Sequence, residues 1–154
     1  MQPYDRIDSK LLALLQKDAR RSNKELAASV GLAPSSCFER VKRLRASGVI
    51  TGFHAALDPE RAGIGLQALI TIRQSTDYAE TAAFVAHVRS FEEVVGIFEV
   101  GGADDFILHV AVRNSSHLRE LVYERIQPLP EVIRTETNIV FRHESQQLPL
   151  YAGS

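Results

Sequence analysis

The residues with the most chemistry to offer stand together between positions 34 and 46, PSSCFERVKRLRA. At 100° per residue, Ser35, Ser36, Glu39, Lys42, Arg43 and Ala46 fall on one side of a helix. Cys37, Val41 and Leu44 cluster on the other, with Phe38 on its shoulder and Arg40 and Arg45 flanking the apolar stripe. Small hydroxyls near a helix N-terminus can approach base edges and phosphates, and Arg43 has the planar fork that reads guanine through two hydrogen bonds. The pattern fits a helix laid into a DNA major groove. An ordinary solvated amphipathic helix shows the same charged face, and the pattern alone leaves both readings open.

Such a helix needs neighbours to aim it. Ser22 with Glu25 forms a capping box that starts a preceding helix, whose apolar face is Leu26, Ala27 and Val30 and whose left-handed stop is Gly31. Pro34 suits the first position of the next helix, where its missing N–H costs nothing. Gly48 ends that helix, and the alternation through Val49–Leu57 predicts a two-stranded ribbon. Upstream, Asp5 or Asp8 can cap a helix with Ile7, Leu11, Leu14 and Leu15 on one stripe. A unit below ~60 residues is marginal by itself, so this one is expected to lean on the remainder or on a second copy.

Asp58-Pro59 breaks the ribbon, and Glu60–Gly65 reads as a linker. Gly63-Ile64-Gly65-Leu66-Gln67-Ala68 matches a dinucleotide fingerprint only in form, because it precedes the strand-like Leu69-Ile70-Thr71-Ile72 instead of following a strand. From Leu66 the order is strand (66–73), helix after Asp77 (Thr81, Phe84, Val85, Val88), then strands Val94–Val100 and Phe106–Val112 joined by the hairpin loop Gly101–Asp105. A second helix (Leu118, Leu121, Val122, Ile126) ends at Pro128 and Pro130, and Val132–Phe141 is the last strand before a loose tail. This βαββαβ order implies an antiparallel sheet covered by helices on one face. A second subunit is the simplest cover for the other face.

The chain has 154 residues, 45% hydrophobic and 24% charged, as ordinary soluble globular proteins do. No apolar run approaches the ~20 residues of a membrane span, and MQPYDRID lacks signal-peptide form, so a cytoplasmic protein without a membrane partner is expected. A single cysteine, Cys37, excludes an internal disulfide and reads as a small buried helix residue. Residues 1–58 hold ten Lys/Arg against six Asp/Glu, a balance of +4, whereas residues 59–154 hold eight against thirteen, a balance of −5. A basic DNA-contacting module joined to an acidic partner domain has this asymmetry. His54, His87, His109, His117 and His143 are scattered and read as surface or packing residues. No G-x-S-x-G, H-E-x-x-H, P-loop or cysteine–histidine metal spacing is present, so neither cofactor nor metal is expected.

Three runs carry a family resemblance: IDSKLLALLQKDARRSNKELAASVGLAPSSCFERVKRLRASGVITGFHAALDPERAGIG, EVVGIFEVGGADDFILHVAV and LPEVIRTETNIVF. In their order and spacing the chain resembles bacterial and archaeal regulators of the leucine-responsive/asparagine-regulator (Lrp/AsnC) family. The resemblance implies an α+β protein. A winged helix-turn-helix occupies residues 1–58, a linker 59–65, a βαββαβ (ferredoxin-like, ACT-like) effector and oligomerisation domain 66–144, and a tail 145–154. It also implies homodimers assembling into tetramers or octamers, promoter or operator DNA as partner, a small effector such as an L-amino acid, and a nucleoid-associated role. The DNA-reading role then falls on Ser35, Ser36, Glu39, Arg40, Lys42 and Arg43, with Thr51 and His54 near the backbone. The effector role falls on Gly101, Gly102, Asp104 and Asp105, with Thr135, Thr137 and Asn138. Two positions depart from the family pattern. Ala33 stands where a capping hydroxyl is usual, weakening the helix start by ~1 kcal/mol, and Ala103 stands where an acid usually follows the loop glycine.

Those effector residues suit an amino acid. Two adjacent glycines let backbone N–H groups approach a carboxylate, Asp104 or Asp105 can pair with an ammonium, and Thr135 or Thr137 can add hydrogen bonds. A hairpin turn with two solvated aspartates has the same composition. On the DNA side, paired recognition helices would meet half-sites ~34 Å apart, with Arg43 on guanine and Arg40 and Lys42 on phosphates. Two rivals are kept. Siroheme decarboxylases share the two-domain plan but need histidines facing a tetrapyrrole, and an architectural compactor would bind DNA with little sequence preference. The modest +4 argues against the compactor.

Overall fold

The computed structural model describes residues 4–75 and 78–151. Asp77, ahead of the fourth helix, and the extreme ends of the expected first domain and tail lie outside the described residues. The chain divides into two compact units, Met1–Ala56 with Glu144–Ser154, and Leu57–His143. The closing segment thus belongs with the first unit, where the sequence reading expects a loose tail. No described helix is long and apolar enough to cross a membrane.

The first unit is built from α1 (Arg6–Lys17), α2 (Asn23–Val30) and α3 (Pro34–Ala46). Asp5 caps α1 by accepting from the N–H groups of Ile7 and Asp8, and the Asp8 carboxylate accepts from the Asp5 N–H in return. Ser22 and Glu25 close the same kind of box on α2. Gly31 at φ 71° ends α2, and Leu32 N–H donates back to the Ala27 carbonyl at 2.9 Å, turning the chain sharply into α3. Leu11, Leu15, Leu26, Ala27 and Cys37 form the core, with Cys37 fully buried as expected. The expected ribbon over Val49–Leu57 does not form, since none of these residues enters a strand. A ribbon needs two strands and a turn, and an isolated hairpin is marginal in water. The stretch is instead irregular and exposed from Thr51 to Leu57, with Phe53 lying 5.9 Å beneath the Arg45 guanidinium.

The second unit holds β1 (Leu66–Gln74), α4 (Tyr78–Arg89), β2 (Val94–Glu99), β3 (Phe106–Val112), α5 (Ser115–Glu120, continued as a wider π turn over Leu121–Ile126) and β4 (Val132–Val140). The strands make one antiparallel sheet in the order β2-β3-β1-β4. The inward positions alternate, Ala68, Ile70 and Ile72 on β1 and Phe106, Leu108, Val110 and Val112 on β3. They pack against Phe84 and Val88 of α4 and against Leu118, Leu121, Val122 and Ile126 of the fifth helix. Alternation puts Leu69, Thr71, Ile107, His109 and Ala111 on the opposite face. The glycine pair dismissed as a dinucleotide fingerprint has a structural use. Gly65 N–H donates to the Val112 carbonyl at 3.1 Å, and a Cβ at Gly65 would stand 2.2 Å from the Arg113 carbonyl oxygen.

Candidate nucleic-acid interface and effector loop

The helix-turn-helix angle is fixed from two directions. The turn between α2 and α3 is pinned by Asn23 Nδ2, which donates to the Pro34 carbonyl at 2.7 Å. Across the unit, α3 is tied to the first turn of α1 by an ionic cluster. Arg40 Nη1 lies 2.7 Å from Asp5 Oδ2 and 2.9 Å from Asp8 Oδ1, and Arg43 Nη2 lies 2.9 Å from Asp8 Oδ2. Asp8 is 1% exposed, so its charge is held by these guanidiniums rather than by water. The Asp8 backbone N–H and then Arg40 hold the Asp5 carboxyl below its ordinary value, and the same carboxylates raise Arg40.

The outer face of α3 carries Ser35, Ser36, Glu39, Lys42 and Arg43, all exposed. These are five of the six helix residues that the sequence assigns to DNA. Arg40 is set apart from them, because its guanidinium turns back toward α1 and into two carboxylates. Thr51 and His54 are exposed on the irregular stretch after α3. Ala33 offers α3 no side-chain cap, leaving the start of the helix to Pro34.

The residues that the sequence reading gives to an effector are divided between the β2–β3 hairpin and the two faces of β4. Gly101, Gly102 and Ala103 are exposed in the β2–β3 hairpin, and Gly102 has φ 150°. Asp105 is built into the fold. Its Oδ2 accepts from Gln74 N–H at 2.8 Å, and its own N–H donates to the Ile72 carbonyl at 2.9 Å. Asp104 instead reaches Arg134 Nη2 at 3.8 Å. On β4, Thr135 and Thr137 pair with Ile72 and Ile70 and share the helix-covered side, while Asn138 pairs with Leu69 and points to the other. Thr135 Oγ1 already accepts from Gln127 Nε2 at 2.8 Å. The structure does not bring Asn138 together with the two threonines.

Two cations that the sequence reading left out converge on this loop. Arg73 Nη1 donates to the Ala103 carbonyl at 3.3 Å, and Arg73 stands directly across the ladder from Arg134. The signal that would have found them is the register of β1 against β4, which places like charges side by side beside an acidic loop. Of the histidines read as scattered, His109 and His143 are brought together and the others stay apart. His109 Nε2 bonds Gln67 Oε1 at 2.8 Å, with its ring 5.4 Å from that of His143, while His117 Nε2 bonds Glu93 at 2.9 Å and His87 stacks edge-on to Phe91.

Comparison with known proteins covers both units. The AsnC-type helix-turn-helix domain profile matches residues 5–45, and the Lrp/AsnC ligand binding domain profile matches residues 67–150. The HTH-type transcriptional regulator AldR of Mycolicibacterium smegmatis is 42% identical over 147 residues, which is 95% of this chain and 86% of AldR. The leucine-responsive regulatory protein of Salmonella typhimurium is 39% identical over 145 residues, 92% of this chain and 87% of that protein. A transcriptional regulator from Neisseria meningitidis, solved in complex with L-Met, superposes with a TM-score of 0.87 at 29% identity, covering 95% of this chain and 96% of that one.

Proposed function

The chain belongs to the Lrp/AsnC family of DNA-binding transcriptional regulators, and from that premise we propose that it reads specific promoter sites and that a small amino acid modulates its assembly on them. The observation that carries the DNA reading is the outer face of α3, where two hydroxyls, one acid, Lys42 and Arg43 are exposed on a helix braced at both its start and its middle. Arg43 supplies the guanine fork, Ser35 and Ser36 stand near base edges and phosphates at the helix start, and Lys42 meets phosphate, as do Thr51 and His54 from the irregular stretch after α3. Its relatives are named as regulators, and a non-enzymatic role fits that company.

The effector reading rests on the Gly101–Asp105 loop with Arg73 and Arg134 beside it. The two guanidiniums and the exposed glycine backbone suit a carboxylate, and Asp104 suits the ammonium of the same molecule. One solved relative holds L-Met, which makes methionine the first candidate to test. A second copy covering the open sheet face would make the homodimer, with tetramers or octamers built from it, acting in the cytoplasm on the nucleoid.

Footprinting on the protein's own upstream region, with and without single amino acids, tests this directly. Discrete protected sites about one helical turn apart, altered by one amino acid, are expected. Featureless coverage would make the protein a compactor. Discrete sites indifferent to every amino acid would remove the effector.

A further inference from the structure

The ionic cluster between α1 and α3 has a consequence for how the protein tells its own site from other DNA. We propose that Asp8 is the positioning residue that decides which cations of α3 reach DNA: its buried carboxylate withdraws Arg40 from phosphate contact and holds Arg43 in one orientation at the outer face. This rests on the DNA-reading function proposed above and adds to it a residue that would not itself touch DNA.

Both oxygens of Asp8 are occupied. Oδ1 accepts from Arg40 Nη1 at 2.9 Å, and Oδ2 accepts from Arg43 Nη2 at 2.9 Å and from the Asp5 N–H at 3.1 Å. A buried carboxylate is costly unless paired and hydrogen-bonded, so both guanidiniums are bound to a charge that solvent cannot screen. Their situations then differ. Arg40, with a side chain 24% exposed, shares one nitrogen between Asp5 and Asp8 and turns away from the groove face. Arg43 has a side chain 58% exposed and is anchored through Nη2, which leaves its Nε and Nη1 donors outside the pair. A guanidinium fixed at one nitrogen keeps its plane and loses rotamer freedom before it meets a base.

The cluster also sets the charge offered to phosphates. Two carboxylates face two guanidiniums, so the four side chains cancel, and Lys42 is the cation on the outer face of α3 that this cluster leaves uncompensated. Sequence-independent affinity comes from cations that neutralise phosphates. Sequestering two of them lowers affinity for random DNA while the oriented Arg43 keeps its base contact. Asp8 thereby trades bulk attraction for discrimination, which suits a module whose residues 1–58 carry ten basic side chains against six acidic ones.

The test compares wild type, Asp8→Asn and Arg40→Gln by fluorescence anisotropy on the protein's own promoter fragment and on a random duplex, over a series of salt concentrations. Asparagine keeps the shape and an acceptor for the α1 cap but gives up the charge. Asp8→Asn is expected to raise affinity for random DNA about tenfold and to steepen the slope of log K against log salt by about 1–2, since each added phosphate contact contributes ~0.9. The ratio of specific to random affinity should fall about tenfold. Arg40→Gln should leave the slope unchanged. Parallel weakening on both duplexes at unchanged slope in Asp8→Asn would mark Asp8 as merely structural and overturn the proposal. So would a slope flatter by about one in Arg40→Gln, because Arg40 would then be a phosphate contact. Should circular dichroism show Asp8→Asn unfolded, the Arg40→Gln slope decides. Wild type that binds neither duplex overturns the DNA-reading function itself, and this proposal with it.

Discussion

The side-chain amide of Gln16 holds the backbone of Leu148 from both sides, its Oε1 accepting the Leu148 N–H at 2.8 Å and its Nε2 donating to the Leu148 carbonyl at 3.3 Å. A side chain here does what a neighbouring strand would do, and it seats the closing segment beside Leu12 and Leu15, with Leu150 half-buried next to them. Gln16→Ala is expected to destabilise the first unit by about 1 kcal/mol, the net worth of solvent-accessible hydrogen bonds. Ending the chain at Gln146 should cost at least as much, because it also uncovers Leu12 and Leu15. The two changes combined should fall short of their sum, since both remove one contact. Urea unfolding followed by circular dichroism measures all three. A shortened chain as stable as the full one would show that the segment is not held.

Ala33 occupies the N-cap of α3 with φ −66° and ψ 145°, the backbone conformation a capping residue adopts, yet it has no oxygen to offer. Ala33→Ser places a hydroxyl within reach of the N–H groups of Ser35 or Ser36. A gain of about 0.5–1.5 kcal/mol is expected, read as a higher urea midpoint at unchanged slope. No gain would mean that those N–H groups already have an equivalent partner.

What the sequence made legible was local. The Ser22/Glu25 box and the left-handed Gly31 each need only a few neighbouring residues and stand where the pattern puts them, while the cap of α1, open between Asp5 and Asp8 in the sequence, falls to Asp5. The spans of β1 and β3 were legible in the same way, to within a residue at the end of β1. Non-local pairings were not legible. Arg40 turns inward because its partners lie 32 and 35 residues away. The Val49–Leu57 alternation found no strand to pair with, and alternation without a ladder makes no strand. The π turn at Leu121–Ile126 keeps the same apolar spacing as an α-helix, so periodicity could not reveal it. One separation was available by counting: Thr135 and Thr137 share parity on β4 and Asn138 does not.

Glu93 makes the second unit sensitive to acid. Its side chain is 11% exposed, and Oε1 accepts from His117 Nε2 at 2.9 Å and Arg125 Nη1 at 2.7 Å. Burial pushes its carboxyl up, but its backbone N–H, His117 and Arg125 together outweigh burial and hold it below its ordinary value. A carboxyl depressed in the folded state stabilises fully above its unfolded-state value, and that contribution is lost as pH falls through the folded one. Glu93→Gln should therefore be less stable than wild type by about 1–3 kcal/mol at neutral pH. The gap should close as the solution is acidified below about pH 4. Thermal unfolding across pH reports it, and a gap that persists unchanged into strong acid would assign the loss to packing rather than charge.

The two loop aspartates should separate stability from effector binding. Asp105 accepts the backbone N–H of the buried Gln74, so Asp105→Ala leaves a donor without its partner and should cost about 1–3 kcal/mol. Among the described residues Asp104 meets the distant edge of a 61% exposed Arg134 at 3.8 Å, a contact of small worth, and Asp104→Ala should change stability by less than about 0.5 kcal/mol. If Asp104 takes the ammonium of a bound amino acid, the same substitution should weaken that amino acid about tenfold or more, while Arg134→Gln weakens it through the carboxylate. Calorimetric titration with methionine and then the other amino acids, paired with thermal unfolding of each variant, reads both quantities. Full affinity in Asp104→Ala would move the ammonium site off this loop. An unfolded Asp104→Ala beside an intact Asp105→Ala would reverse the roles assigned to the pair.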